Sequence, residues 1–396
     1  MMHDSEGRPF KMLVYRGSQK TRKTGQDNYN NKYMFDELPV NYKQNRTLPK
    51  SASRILQAPE LRDDFYLNVL DWGRINNLLA VGLGSDLYIW NAGNKHVFKL
   101  LRTEQEHDYV SSLAWSHDDA KMLAVGYDWP EIQLWDCERL MPVRSLGPTH
   151  NERVTTLAWN GHILTSGSKD KFIINYDMRM KNSIVSHFEG HKAAVCGLDW
   201  SNRCNKLASG GNDNKVYIWD LSKMTSSSST STSSLPRRNN YLHRLRDHHA
   251  CVKALAWSPH DDEILASGGG TEDSSIKTWN TTKGTCITTI NTEAQVSGLE
   301  WSKHHNEILS SHGYSQNGHS NHLSLWNYPS MFKVGELNGH KSRILHLTQS
   351  PDGSTVASAS ADQTLRFWEI FGPPRPDNGR VSELHNILSF KVSPLR

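Results

Sequence analysis

The feature that most constrains this chain is a repeat. An aromatic residue followed by Asn, Asp or Glu recurs at Trp90-Asn91, Trp135-Asp136, Tyr176-Asp177, Trp219-Asp220, Trp279-Asn280, Trp326-Asn327 and Trp368-Glu369. Five of the six steps between these pairs are 41 to 47 residues, and the step from Trp219 to Trp279 is 60. One unit of this size cannot bury its apolar face alone, so the units must stack on one another or close into a ring. The long step contains Thr225 to Ser234, a Ser/Thr tract that can bury no core, and 222–240 is expected to be a loop insertion.

Two further registers define the unit. Leu-x-Trp occurs at Leu70/Trp72, Leu113/Trp115, Leu157/Trp159, Leu198/Trp200, Leu255/Trp257 and Leu299/Trp301, and the seventh repeat has Leu347 with Gln349. Each Trp precedes its strand-ending partner by 17 to 25 residues, room for a strand, a turn and a strand. Turn signals such as Ser258-Pro259-His260-Asp261 and Ser350-Pro351-Asp352-Gly353 lie between them. The third register is polar. Asp170, Asp213, Asp273 and Asp362 lie six residues before the aromatic, Ser166, Ser209 and Ser358 lie four before the Asp, and His150, His191, His248 and His340 lie upstream. In WD-repeat proteins such residues form a buried hydrogen-bonded network, and a buried carboxylate needs such donors. His191, Ser209, Asp213 and Trp219 are expected to form one network, and His340, Ser358, Asp362 and Trp368 another. Blades one, two and six lack the full set. A Ser, a His and an Asp also make a hydrolase triad. An active site occurs once, however, whereas this set recurs, and no G-x-S-x-G elbow is present. No Gly-rich loop has phosphate-binding spacing.

The expected fold is all-β, a seven-bladed WD-repeat propeller of four-stranded blades. Gly372-Pro373-Pro374 cannot continue the last blade, so its outer strand should come from near Arg54-Ile55-Leu56. The expected organisation is an extended tail at 1–45, the propeller at 46–372 and a second tail at 373–396. Thirteen Trp call for a large core. A net charge of +4 argues against nucleic acid, and no apolar run approaches a membrane span, so neither nucleic acid nor membrane is expected as a partner. The five Cys, at 137, 196, 204, 251 and 286, include no C-x-x-C and read as reduced structural thiols. His304, His305, His312, His319 and His322 cluster among Ser, Asn and Gly and read as a solvated loop, with no metal or other cofactor expected.

Several segments outside the repeats are more specific. Arg54-Ile55-Leu56-Gln57-Ala58-Pro59, Asp63-Asp64-Phe65-Tyr66-Leu67-Asn68 and Leu70-Asp71-Trp72 resemble the opening of the Fizzy, or cell-division-cycle-twenty, family. Val195-Cys196-Gly197-Leu198, Ala208 to Asn214, Ser310 to Tyr314, Trp326 to Met331 and Thr364 to Trp368 extend the likeness over roughly 46–371. Members of that family are non-catalytic, substrate-recruiting activators of the anaphase-promoting complex (cyclosome), a ubiquitin ligase. The resemblance implies a pocket for the KEN degron at Asp64, Asn212, Thr271, Gln295 and Arg343, with Phe65 where several relatives have Tyr. Arg343 suits the degron Glu, and Asp64, Asn212 and Gln295 suit its Lys and Asn. Taken singly, each of these also reads as an ordinary polar loop residue.

The resemblance implies a destruction-box cleft between the first and last blades, with Leu56 and Leu365 as its apolar lining. Gln57 and Gln363 stand where the family has Asp and Glu, so KEN degrons are expected to bind better than destruction boxes. The terminal Leu395-Arg396 resembles the family's Ile-Arg docking end. No family C-box is found. Lys11, Met12 and Leu13 resemble the checkpoint-binding segment that follows the C-box in the family, so the chain is expected to be truncated upstream; a solvated basic stretch is the other reading. The implied partners are the core subunits of the ligase, degron-bearing substrates such as cyclins, and spindle-checkpoint proteins, in nucleus and cytoplasm. The alternatives are a degenerate paralogue that binds degrons without activating, and a WD-repeat scaffold outside the cell cycle. An enzyme using the central channel would need converging acids, bases or metal ligands, and no such motif stands out.

Overall fold

The apolar run that opens each repeat forms the innermost strand of a sheet in the computed structural model. The structure describes residues 48–103, 108–201, 203, 205–221, 237–238, 241–315, 318–319 and 321–372. The inner strands are Leu70–Trp72, Val110–Trp115, Val154–Asn160, Val195–Trp200, Val252–Trp257, Ala294–Trp301 and Ile344–Gln349. Each packs against the inner strand of the next sheet, and the seventh packs against the first, so seven blades close around a central channel. Burial follows position. Val110–Trp115 is buried at every residue because blades flank it on both sides, whereas the outer strand Thr285–Asn291 alternates exposed and half-buried.

The repeated aromatic-Asn/Asp pair has a local cause. The aromatic lies at the end of the third strand of its blade and is buried in the interblade core in six blades, Trp135 being half-buried; Trp219, Trp279, Trp368 and Tyr176 are almost fully buried. The following Asn or Asp turns the chain. Asn91 Oδ1 accepts the Gly93 N–H, Asp136 Oδ1 the Glu138 N–H, Asp177 Oδ1 the Arg179 N–H and Asn280 Oδ1 the Thr282 N–H, at 2.9 to 3.1 Å. These Asx turns close the hairpin to the outer strand.

The ring is closed by the strand that the sequence reading proposed. Arg54–Gln57 pairs antiparallel with Thr364–Glu369, with Arg54 opposite Phe367 and Gln57 opposite Thr364. The Ser53 N–H donates to the Phe367 carbonyl and the Ala58 N–H to the Gln363 carbonyl, each at 2.8 Å, so pairing extends past both ends. This covers the outer edge of Thr364–Glu369 and brings the last blade to four strands. In the long step, Arg237–Arg238 pairs parallel to the outer strand of blade 3, Ile184–Phe188, and Tyr241–Leu245 supplies the outer strand of blade 4. Residues 222–236, the Ser/Thr tract among them, lie outside the described residues.

Candidate functional site

The blade networks fix the loops above them. In blade 4, the Trp219 indole N–H donates to Ser209 Oγ at 2.9 Å, Ser209 lies 2.9 Å from His191 Nε2, and His191 Nδ1 lies 2.9 Å from Asp213. Blade 7 repeats this with Trp368, Ser358, His340 and Asp362 at 2.9, 2.8 and 3.1 Å. Blade 3 does so with Ser166, His150 and Asp170, with the Tyr176 hydroxyl in place of the indole. The carboxylate also accepts the backbone N–H after the His, from Asn151, Lys192 and Lys341. Burial pushes the Asp213 and Asp362 carboxyls up, but these hydrogen bonds outweigh it and hold both below the ordinary carboxylate range. The distances are those of a hydrolase triad, yet Ser166, Ser209 and Ser358 are fully buried, so no substrate reaches their hydroxyls.

Blade 5 completes a fourth network that the spacing hid. His248 bonds Asp273, and Ser267, not a residue four before the Asp, joins His248 Nε2 at 2.6 Å and accepts the Trp279 indole N–H at 2.7 Å. The turn there is two residues longer. Blade 6 corrects the reading of the His cluster as a solvated loop. His312 and His322 sit in the strands Glu307–Ser315 and His322–Asn327 with their rings 4.8 Å apart. His312 is fully buried, with Nε2 2.8 Å from Ser310 Oγ, which accepts the Trp326 indole N–H at 2.8 Å. In blade 6 a strand His therefore takes the place of the upstream one.

The candidate site lies on the face where the inner strands begin, here called the upper face. The residue just before the strand is Tyr109, Arg153, Ala194, Cys251 or Arg343 in blades 2, 3, 4, 5 and 7. The carbonyls of Tyr109, Arg153, Ala194 and Arg343 accept the N–H of Asp128, Lys169, Asn212 and Ala361 at 2.8 to 3.0 Å. Equivalent side chains therefore stand in a ring around the channel mouth. The segment Asp63 to Tyr66 crosses this mouth. Asp63 accepts from Arg343 of blade 7, Asp64 Oδ2 accepts from Arg153 Nη1 of blade 3 at 3.0 Å, and the Tyr66 hydroxyl donates to Asn212 Oδ1 of blade 4 at 3.2 Å. Arg153 Nη1 also donates to the Tyr109 hydroxyl at 2.9 Å, and the Arg343 guanidinium lies 4.3 Å from the Tyr314 ring centroid.

Phe65 closes the mouth from above. It is 6% exposed and packs on Cys196 and Cys251, with Lys253 Nζ 5.3 Å from its ring centroid. Lys253 donates to the Leu345 carbonyl at 2.9 Å, and burial pulls its ammonium down to about 7 against the opposing charge of Asp64. Gln295 is 6% exposed, and its side-chain oxygen has no hydrogen-bond partner among the described residues. It faces Gly313, where a Cβ would stand 2.7 Å from that oxygen and 3.4 Å from the Arg343 Cβ. Gln295 and Arg343 are thus neighbours, and only Gly leaves the space between them open. Thr271 is half-buried in the blade 5 turn, its carbonyl accepting the Ser274 hydroxyl at 2.7 Å.

Five of the named residues, Asp64, Phe65, Asn212, Gln295 and Arg343, are linked here by contacts or through shared neighbours, and Thr271 stands on the adjacent turn. Asp63, Arg153, Tyr66, Tyr109 and Tyr314 were missed. The repeat register could have found Arg153, because it occupies the same position in blade 3 as Arg343 in blade 7.

At the junction of blades 7 and 1, Gln57 and Gln363 are exposed at the upper end of the paired strands, with Gln363 at φ 58°. Leu56 is half-buried opposite Leu365, which is 3% exposed and belongs to the core. The cavity of about 370 Å³ at this junction is at the other end of the strands, lined by Arg54, Trp72, Trp90, Phe367 and Glu369 among others, and contains none of the four. Lys11, Met12, Leu13, Leu395 and Arg396 lie outside the described residues. Among the described residues, no three His, Cys, Asp or Glu side chains converge as metal ligands would.

The sequence matches the CDC20/Fizzy WD40 domain over residues 56–368. It is 48% identical over 338 residues to "Cell division cycle 20.5, cofactor of APC complex" of Arabidopsis thaliana, covering 85% of this chain and 72% of that one. It is 47% identical over 329 residues to "Anaphase-promoting complex subunit cdc20" of Dictyostelium discoideum, covering 83% of this chain and 62% of that one. Its fold is similar to a chain in the crystal structure of a mitotic checkpoint complex, with a TM-score of 0.75, 35% identity and coverage of 89% of this chain and 99% of that chain.

Proposed function

The chain belongs to the CDC20/Fizzy family of WD40 propellers, and from that premise we propose that it is a substrate-recruiting cofactor of the anaphase-promoting complex. It holds a degron-bearing protein, such as a cyclin, on its upper face and docks on the ligase core through its tails. It has no catalytic residue of its own. Its effect is one of effective concentration, because tethering makes ubiquitin transfer to the bound substrate intramolecular.

The observation that carries the degron reading is the composition of the channel mouth. A cation at Arg343 stands beside Gln295 across Gly313, and an anion at Asp64 stands two residues from the Tyr66 hydroxyl that bonds the exposed amide of Asn212; the Gln295 side-chain oxygen is buried with no hydrogen-bond partner among the described residues. A KEN peptide offers an anion, a cation and an amide to match. Gln57 and Gln363 present no negative charge to the Arg of a destruction box, so KEN degrons bind better. Leu395-Arg396 docks on the ligase core, Lys11 to Leu13 contact checkpoint proteins, and the chain works in nucleus and cytoplasm.

Purified chain added to ligase lacking any activator should raise the rate of ubiquitylation of a KEN-bearing substrate, and deleting Leu395-Arg396 should abolish the gain. The second reading, a degron binder that does not activate, is favoured by the Gln57 and Gln363 pair. It requires no gain, and inhibition when a complete activator is also present.

A further inference from the structure

We propose that Cys196 and Cys251 form a reversible disulfide beneath the upper face, and that closing it weakens peptide binding there. The second half rests on the degron reading above. Cys196 lies on the inner strand of blade 4, and Cys251 immediately precedes the inner strand of blade 5. The Cys251 thiol donates to Cys196 Sγ with the sulfurs 3.2 Å apart, and both cysteines are free. A disulfide needs about 2.05 Å, so the sulfurs must approach by only about 1 Å. Cys286 instead bonds to Thr288 and Thr289, and Cys137 is buried in blade 2.

The two thiols differ in access. Cys251 is 8% exposed and Cys196 is fully buried. The hydrogen bond from Cys251, together with burial, holds the Cys196 thiol above its ordinary value, so the first attack falls to Cys251. The oxidant is a small-molecule disulfide such as glutathione disulfide. Cys251, as thiolate, attacks one of its sulfurs, breaks its S–S bond and releases one thiol. Cys196 then attacks the Cys251 sulfur of the mixed disulfide, loses its proton and releases the second thiol. Two protein thiols lose two electrons to the added disulfide, which leaves as two thiols.

Both cysteines touch the site. The Phe65 ring packs on the pair. The Cys196 thiol donates to the Ala194 carbonyl at 3.4 Å, and that same carbonyl accepts the Asn212 N–H at 2.8 Å. On the other side, the backbone of Cys251 abuts Gly270, the residue before Thr271. Closing the bridge removes the thiol donor beside Asn212 and draws blades 4 and 5 together under Phe65. A close-packed interior passes such a shift on to the loops above it.

The test uses the full chain, incubated with glutathione disulfide or with dithiothreitol. Peptide mapping by mass spectrometry should find a Cys196–Cys251 link only after oxidation, and none in Cys251→Ser or Cys251→Ala. A KEN peptide should bind the linked form about threefold or more weaker, with recovery on reduction. Glutathione on Cys286 without a Cys196–Cys251 link overturns the bridge. A link with unchanged affinity overturns its effect on the site. If the reduced protein binds no KEN peptide, the degron reading fails, and the bridge stands or falls on the peptide map alone.

Discussion

Arg343 Nε donates to Asp63 Oδ1 at 2.5 Å and Arg343 Nη2 to the Asp63 carbonyl at 3.0 Å, tying blade 7 to the segment that leads into blade 1. The guanidinium assigned to a degron carboxylate is therefore already paired in the free chain. An incoming Glu must displace the Asp63 carboxylate, whose side chain is 51% exposed. Asp63→Asn removes this competitor and should tighten KEN-peptide binding by about two- to fivefold, read by titration calorimetry. Stability should change by less than about 1 kcal/mol, because an exposed pair contributes little.

The blade networks predict a stability effect. Ser267 Oγ joins the Trp279 indole to His248, and Ser209 Oγ joins Trp219 to His191. Removing either hydroxyl leaves two buried polar groups without a partner, at about 1–3 kcal/mol each. Ser267→Ala and Ser209→Ala should each lower unfolding free energy in denaturant by about 2–6 kcal/mol. Ser145→Ala, whose hydroxyl makes an exposed bond to Glu131, should change it by less than about 0.5 kcal/mol.

The same networks set a pH dependence. Burial pulls His340 and His248 below the ordinary value of 6.5, and their hydrogen bonds to Asp362 and Asp273 only partly oppose this. The unfolded chain therefore takes up these protons at higher pH than the folded one. Their contribution is present above about 6.5 and is lost as pH falls below it. Asp213 and Asp362 are held below 3.8, so their contribution is lost in turn as pH falls through and below 3.8. Burial raises the Glu300, Asp71 and Asp199 carboxyls to about 8, 6 and 6, an opposing contribution gained as pH falls, so the test is the difference in melting temperature between wild type and Asp362→Asn, which should shrink below about pH 4. A difference that stays constant from about pH 7 down to about pH 3 contradicts this.

Restoring charge at the junction of blades 7 and 1 should restore the weaker degron. Gln57 and Gln363 are exposed, and the Ala58 N–H to Gln363 carbonyl bond keeps them adjacent. Gln57→Asp with Gln363→Glu should raise affinity for an R-x-x-L peptide by about tenfold, since hydrogen bonds to charged groups contribute roughly 1 kcal/mol more than neutral ones. KEN binding should not change.

The registers of Trp, Leu and Asp were legible because each blade repeats one packing problem: an aromatic in the interblade core, then a residue that turns the chain. Where blades depart from that plan, spacing misled. Ser267 was hidden by a longer turn, and His312 passed for a loop residue because its neighbours are small and polar. The ends of the site were legible only through family resemblance. Asp63 with Arg343 and Asp64 with Arg153 meet across the ring at separations of 280 and 89 residues, and no local period encodes such pairs. Leu365, implied as apolar lining of the cleft, is 3% exposed and pairs with Leu56 of the closing strand.

On the proposed reading, a KEN degron binds the channel mouth through Arg343. The most direct measurement is titration of a KEN peptide into the folded full chain, wild type against Arg343→Ala. Saturable one-to-one binding is expected, weakened about tenfold or more by the substitution, as for loss of a charged hydrogen bond. Equal binding by the two proteins, or no binding by a folded wild type, contradicts it.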